Sequence, residues 1–252
     1  MPNVKELVGQ LNGSPEATYV PERTLLNLVR QATAPGQEAQ RAEVAAALAA
    51  ELTAKTPPRK DDRGRDIPPQ PVHPPRVRNK IASLLGYVLG DEQVPALVEA
   101  LKDFDVRESA RQALEANPSP ATTKALIDAL QSVGPRFRVG VVGALANRRE
   151  PEVLATLREV ASNDIDEEVR LAAIEALACF PAVENDAIIA QAAEELSGAA
   201  RTTALRARVR LAETLRTAGR DADARKIYEA IRAGDASPAQ KKAADLGLKA
   251  TA

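Results

Sequence analysis

Four segments of the chain superimpose without a gap. Val77 to Leu85, Val106 to Leu114, Phe137 to Leu145 and Val169 to Leu177 each open with Val or Phe, continue with Arg, and place Leu seven residues after that Arg. A weaker fifth copy runs from Ala207-Arg208 to Leu215. The five arginines, Arg78, Arg107, Arg138, Arg170 and Arg208, are separated by 29, 31, 32 and 38 residues, the length of one helical hairpin per unit. Such a unit cannot bury its apolar face alone, so the period demands an array in which each hairpin is covered by its neighbours.

Apolar residues within each copy fall at −1, +3, +6 and +7 from the Arg, as in Val106, Ala110, Ala113 and Leu114. That spacing is the stripe of a helix, not the alternation of a strand. A second helix-like run precedes three of the copies: Pro95 to Leu101, Ala125 to Leu130 and Val153 to Leu157. Polar turns at 102–105 and 163–166 join the two, and their Asp residues (Asp103, Asp105, Asp164, Asp166) suit helix N-caps. Proline at 118, 120, 151 and 181 separates one hairpin from the next. No stretch reads as a strand. The expected fold is all-α, an α-solenoid of stacked helical hairpins.

The stretches LVEALKDFDVRESARQALEAN and LREVASNDIDEEVRLAAIEALACF resemble bacterial HEAT repeats of the PBS-lyase HEAT-like type, with Asp in the turn and Val-Arg opening the second helix. The resemblance covers residues 76–180 and implies that the second helices line the concave face of a curved array. The third unit departs from it: Ser132-Val133-Gly134-Pro135 replaces the Asp-bearing turn, and Gly140 and Gly143 interrupt its second helix. Further on, Leu211-Ala212, Leu215, Gly219, Ala224, Tyr228 and Ile231 resemble a tetratricopeptide repeat, which Pro238 and Leu246-Gly247 partly restart.

The chain thus divides into four segments. Residues 1–54 carry helical stripes at 3–11, 21–33 and 37–54; residues 55–75 form an insertion; 76–198 hold the HEAT-like repeats; 199–252 form a tetratricopeptide-like cap. Seven prolines around a charged centre in TPPRKDDRGRDIPPQPVHPP cannot build a core, so 56–75 should be extended or mobile, dispensable for folding and cut first by trypsin. It interrupts a hairpin made of helices 37–54 and 76–89.

Composition narrows the function classes. One Cys and one His in 252 residues exclude a disulfide framework and any zinc site built from Cys/His clusters. No apolar run approaches a membrane span, and MPNVKELVGQL lacks the pattern of a secretory leader, so the expected location is cytoplasmic. Aromatic residues make up 2% of the chain and Trp is absent, which removes the stacking platforms of nucleic-acid binders. Charge is nevertheless uneven: residues 76–198 hold 13 basic and 20 acidic side chains, residues 199–252 hold 12 and 6. The basic group Arg201, Arg206, Arg208, Arg210, Arg216 and Arg220 could meet phosphates, or each segment could present a solvated face.

No nucleophile stands beside a base. Cys179 reads as a small buried hydrophobe, His73 as an isolated residue without a carboxylate to orient it, and Glu167/Glu168 as a helix-start pair. The Arg ladder (Arg78, Arg107, Arg138, Arg170, Arg208) reads as structural, each Arg reaching an Asp or carbonyl of a neighbouring turn. Pro71 to Arg76 matches a PxxPxR ligand. Catalytic, cofactor and metal residues are therefore expected to be none. The expected function is a monomeric, non-enzymatic scaffold binding protein partners through Asn79, Lys80, Ser83, Glu108, Ser109, Gln112, Val139, Gly140, Gly143 and Glu175, one, two and five residues after the Arg. The alternatives are an accessory module of an enzyme on another chain and phosphate-backbone binding by the C-terminal helices.

Overall fold

The computed structural model describes residues 3–251. The chain divides into two compact units, Met1–Val133 and Gly134–Ala252, and the division falls on the turn that lacks Asp.

The first unit contains α1 (Val4–Gln10), α2 (Pro15–Ala32), α3 (Glu38–Thr53), α4 (Pro75–Val88), α5 (Val94–Leu101), α6 (Arg107–Ala116) and α7 (Pro120–Ala129). The hairpin α3/α4 is followed by α5/α6, with α4 against α6 and, more sparsely, α3 against α5. The tighter contact marks α4 and α6 as the inner helices. Its physical basis is the pair Gly86 and Ala113: a Cβ on Gly86 would stand 3.0 Å from the Ala113 Cα, so any larger residue would part the helices. Leu48, Ile81, Leu85, Leu97 and Leu114 are fully buried between the layers.

The second unit contains α8 (Pro135–Leu145), α9 (Pro151–Asn163), α10 (Glu167–Leu177), α11 (Asn185–Glu195), α12 (Gly198–Thr217), α13 (Asp221–Ala233) and α14 (Pro238–Ala250). Here α8, α10 and α12 pack successively, with α9 and α11 behind them. Proline opens α8, α9 and α14, where a missing N–H costs nothing. Asp166 caps α10 by accepting the Val169 N–H, and Ser237 forms a capping box with Gln240. The α12/α13 turn is made by Gly219 at φ +76°. Beyond it the buried Tyr228 ring lies directly on Gly247, where a Cβ would collide with the ring.

The repeat stripe is realised almost completely. Of the twenty residues at −1, +3, +6 and +7 from the five arginines, nineteen are buried. The exception, half-buried Thr214, carries a hydroxyl that donates to the Ala178 carbonyl (2.8 Å).

Three expectations need correction. First, helix α2 starts at Pro15 and runs through Pro21; the buried proline forfeits one helical hydrogen bond without ending the helix. Second, the chain does contain strands. Residues Arg59–Lys60 (β1) and Asp66–Ile67 (β2) pair as an antiparallel hairpin, closed by Asp61, whose carboxylate takes the Arg63 and Arg65 N–H groups and the Arg65 Nε. Those bonds hold the Asp61 carboxyl below its ordinary range. Third, the base of the insertion is packed: Thr56 and Val72 N–H groups donate to Gln70 and Ala54 carbonyls.

His73 explains that packing. It is 4% exposed, with Nε2 2.8 Å from Glu51 Oε2 on α3 and Nδ1 3.4 Å from Asn12 Nδ2. The carboxylate that orients it lies 22 positions upstream, beyond the reach of any local sequence pattern. Arg76 adds bonds to the Leu11 (2.8 Å) and Gly13 (3.2 Å) carbonyls, which takes the arginine of the PxxPxR match into an internal contact.

Candidate interaction surface

The turn geometry decides what each ladder arginine does. Asp103 and Asp164 form the same local structure: one carboxylate oxygen accepts the N–H two residues on, from Asp105 (3.0 Å) or Asp166 (2.9 Å). Each also receives the arginine of the preceding inner helix, Arg78 to Asp103 at 2.5 Å and Arg138 to Asp164 at 2.8 Å. Arg78 is itself buried. Arg208 makes a two-armed contact with Asp186 at 2.6 and 2.9 Å, back to α11 within its own hairpin.

Arg107 and Arg170 behave differently. Arg107 lies over the Phe104 ring of its own turn, 4.4 Å from the centroid. Arg170 donates to the Asp164 (2.7 Å) and Ile165 (3.4 Å) carbonyls, again in its own turn. The sequence supplies the reason: the next turns along the chain, 130–134 and 196–197, contain no acidic residue. Where the next turn carries an Asp, as for Arg78 and Arg138, the ladder arginine extends forward to meet it.

Throwing the middle residue of each Asp-x-Asp turn outward leaves Phe104 77% and Ile165 92% exposed. Neither apolar tip is among the contact residues expected from the sequence; the Asp-flanked turn was the signal available for them.

None of the ten candidate contact residues is buried, but several are tied into the structure's own bonds. In the first unit, Asn79 donates to the Pro75 and Asp105 carbonyls and accepts from Ser109 Oγ (2.7 Å). Asn79 and Ser109 thus join α4 to α6. Lys80 pairs with Glu22 of α2. Ser83 donates back to the Asn79 carbonyl. Glu108 accepts from Arg111 and Gln112, and the Arg111 bond is the main cause holding its carboxyl below the ordinary range. Ser83, Glu108, Gln112 and the exposed ring of Tyr87 remain open to solvent.

In the second unit, Val139 and Gly140 are half-exposed and Gly143 is exposed, with nothing within 4 Å of its Cβ position. Leu171 and Ala172 on α10 are half-exposed as well. Glu175 pairs with Arg206 at 2.9 Å. Cys179 is half-buried, its Sγ 3.6 Å from the Glu175 carbonyl, so the thiol is more accessible than expected. Glu167 and Glu168 stand exposed in the first turn of α10.

Of the six C-terminal arginines raised as phosphate ligands, five are ion-paired: Arg201 with Asp235, Arg206 with Glu175, Arg208 with Asp186, Arg216 with Glu213 and Arg220 with Asp223. Glu213 also accepts from the Tyr228 hydroxyl (2.9 Å). Burial and that carboxylate push the Tyr228 hydroxyl up to about 12. Among the described residues no group of three or more His, Cys, Asp or Glu could hold a metal ion, and no helix is long and apolar enough to cross a membrane.

The fold and its inner faces define an all-α protein of stacked helical hairpins. Residues 94–178 match the family described as HEAT repeats. No curated protein matches the chain. Among solved structures it is similar to a chain of the complex of CpcE and CpcF of phycocyanin lyase from Nostoc sp. PCC7120, at 18% identity over 100% of this chain and 96% of that one, with a TM-score of 0.42. It is also similar to human deoxyhypusine hydroxylase in complex with glycerol (16%, 98% and 95%, TM-score 0.36). A designed armadillo repeat protein in complex with peptide (KR)4 is a third (17%, 99% and 99%, TM-score 0.31).

Proposed function

We propose that the protein is a non-enzymatic interaction scaffold whose partner proteins lie against the inner helices. The observation that carries this reading is Gly143. A glycine inside a helix costs roughly 0.5–1 kcal/mol relative to alanine. Gly86 and Gly247 are each held by a neighbour that a Cβ would strike, whereas the Cβ position of Gly143 faces open space. Helix packing therefore gives no reason for Gly143, and a contact surface does. With Val139, Leu171 and Ala172 half-exposed on the same unit, the missing side chain leaves a shallow apolar notch of the kind that anchors a partner's side chain.

The double substitution Gly140→Ala/Gly143→Ala tests this. The variant should fold with equal or greater stability by urea denaturation and bind a partner less well. A photo-crosslinking residue at Gln112 or Gly143 should capture that partner, while one at Lys124 or Glu159, exposed on α7 and α9, should not. Capture from the outer positions alone, or a destabilised double variant, would sink the reading.

A further inference from the structure

An open cavity of about 310 Å³ lies in the first unit, where the ends of α3 and α5 meet the returning arm of the insertion at Pro69 and Pro71. Its charged lining is Arg78, Lys55, Lys102, Asp103 and Glu99, three cations against two carboxylates. Arg78 is 8% exposed; its Nη1 donates to Asp103 (2.5 Å) and its Nε lies 3.5 Å from the Leu52 carbonyl. The third nitrogen, Nη2, makes no hydrogen bond among the described residues. No Arg78 atom is both sealed from solvent and without a partner, so Nη2 opens onto the cavity.

The two lysines share a single acid. Lys55 and Lys102 approach Glu99 at 3.5 and 2.9 Å, and the Lys102 hydrogen bond is the main cause holding the Glu99 carboxyl below its ordinary range. With Asp103 matched to Arg78 and Glu99 to one lysine, one positive charge has no counterpart. The helix ends do not cancel it. The negative partial charge of a helix C-terminus resides on unmet carbonyls, and here the Leu52 carbonyl faces Arg78 Nε, while those of Ala54, Glu99 and Ala100 accept the Val72, Lys102 and Asp103 N–H groups.

We propose that this cavity receives the carboxylate of an aspartate or glutamate side chain of a partner protein. The free Nη2 of a buried guanidinium supplies fixed N–H donors at the inner wall, and a lysine ammonium supplies mobile ones at the rim. One negative charge matches the one positive charge left uncompensated. A phosphate monoester would bring nearly two, and the asparagine or glutamine amide brings none. The proposal rests on the chain being a protein-binding scaffold but uses none of the inner-face residues, so the glycine and crosslinking tests stand or fall separately.

The test uses the full chain with labelled alanine methyl groups, titrated at constant ionic strength with N-acetyl-L-glutamate amide and, in parallel, with the glutamine derivative and inorganic phosphate. The glutamate derivative should shift the signals of Ala54 and Ala100, which line the cavity, saturably, with the glutamine derivative at least about tenfold weaker. Lys55→Met/Lys102→Met should lower the glutamate affinity roughly three- to tenfold, and Glu99→Gln, which releases both lysines, should raise it by about the same factor. All three residues are exposed, so the variants should fold normally, which the unchanged signals of distant alanines would verify. A merely structural role for these ion pairs would not move the affinity in opposite directions. Absence of a saturable shift, an equal response to the glutamine derivative, tighter binding of phosphate, or a Glu99→Gln affinity at or below that of the wild type would each overturn the proposal.

Discussion

A single position can look the same in every repeat and still do different work. Arg78 is buried against Asp103, while Arg170 holds only carbonyls of its own turn. Arg78→Ala should therefore cost about 1–3 kcal/mol and Arg170→Ala about 0.5–1.5 kcal/mol, read from urea midpoints at neutral pH. The Asp103 carboxyl adds a pH signature. Burial alone would raise it, but the Arg78 hydrogen bond, the Asp105 N–H and the Arg78 charge outweigh burial and hold it below its ordinary 3.8. A depressed carboxyl contributes stability that is present above the unfolded value and lost as pH falls through the lower folded one. The gap between wild type and Arg78→Ala should accordingly narrow below about pH 4; a gap constant from pH 7 to pH 3 would mean that packing, not the ion pair, sets the cost. The Arg-to-Leu spacing determines where each arginine sits, but not its partner, because a partner depends on whether the next turn carries an acid.

At the scale of elements, the insertion is two structures rather than one. Its tip, the β1/β2 hairpin, carries Arg59, Lys60, Arg63 and Arg65, all exposed, whereas its base is pinned through buried His73 to Glu51 and Asn12. Trypsin should cut first at the tip, and loss of the tip should leave the fold intact. His73→Ala should instead destabilise by about 1–3 kcal/mol, since it strands a mostly buried carboxylate and an amide; a neutral result would show that the base is not held by this pair. Proline content predicts an extended chain here, which it is. What proline content hides is a long-range contact made by one residue, and no local pattern announces such a contact. The hairpins themselves were legible for the opposite reason: the apolar stripe that defines them is local and recurs five times, so its burial follows from the spacing alone. Gly143 was legible as an anomaly, but only its open Cβ direction separates it from Gly86, which is equally a helical glycine and lies at a close crossing.

For the molecule as a whole, the charge that is uneven along the sequence evens out when it is summed over each compact unit. Residues 134–252 contain 18 basic and 18 acidic side chains, and residues 1–133 contain 16 and 17, so each compact unit is nearly neutral. The basic C-terminal segment reaches this balance partly by pairing with the acidic repeats before it, Arg206 with Glu175 and Arg208 with Asp186. Of the six arginines that could face a phosphate backbone, Arg210 alone, among the described residues, has no internal partner. Nucleic-acid affinity grows with the number of phosphates neutralised, and each contact made by a paired arginine would first have to break an existing ion pair. Duplex DNA should therefore give no salt-sensitive gel shift with this protein, even at about 50 mM salt, where several phosphate contacts would raise affinity by orders of magnitude over about 200 mM. A shift that is strong at the lower concentration and lost at the higher would show that the arginines exchange partners, and Arg210→Ala together with Arg206→Ala would then identify the face that does so.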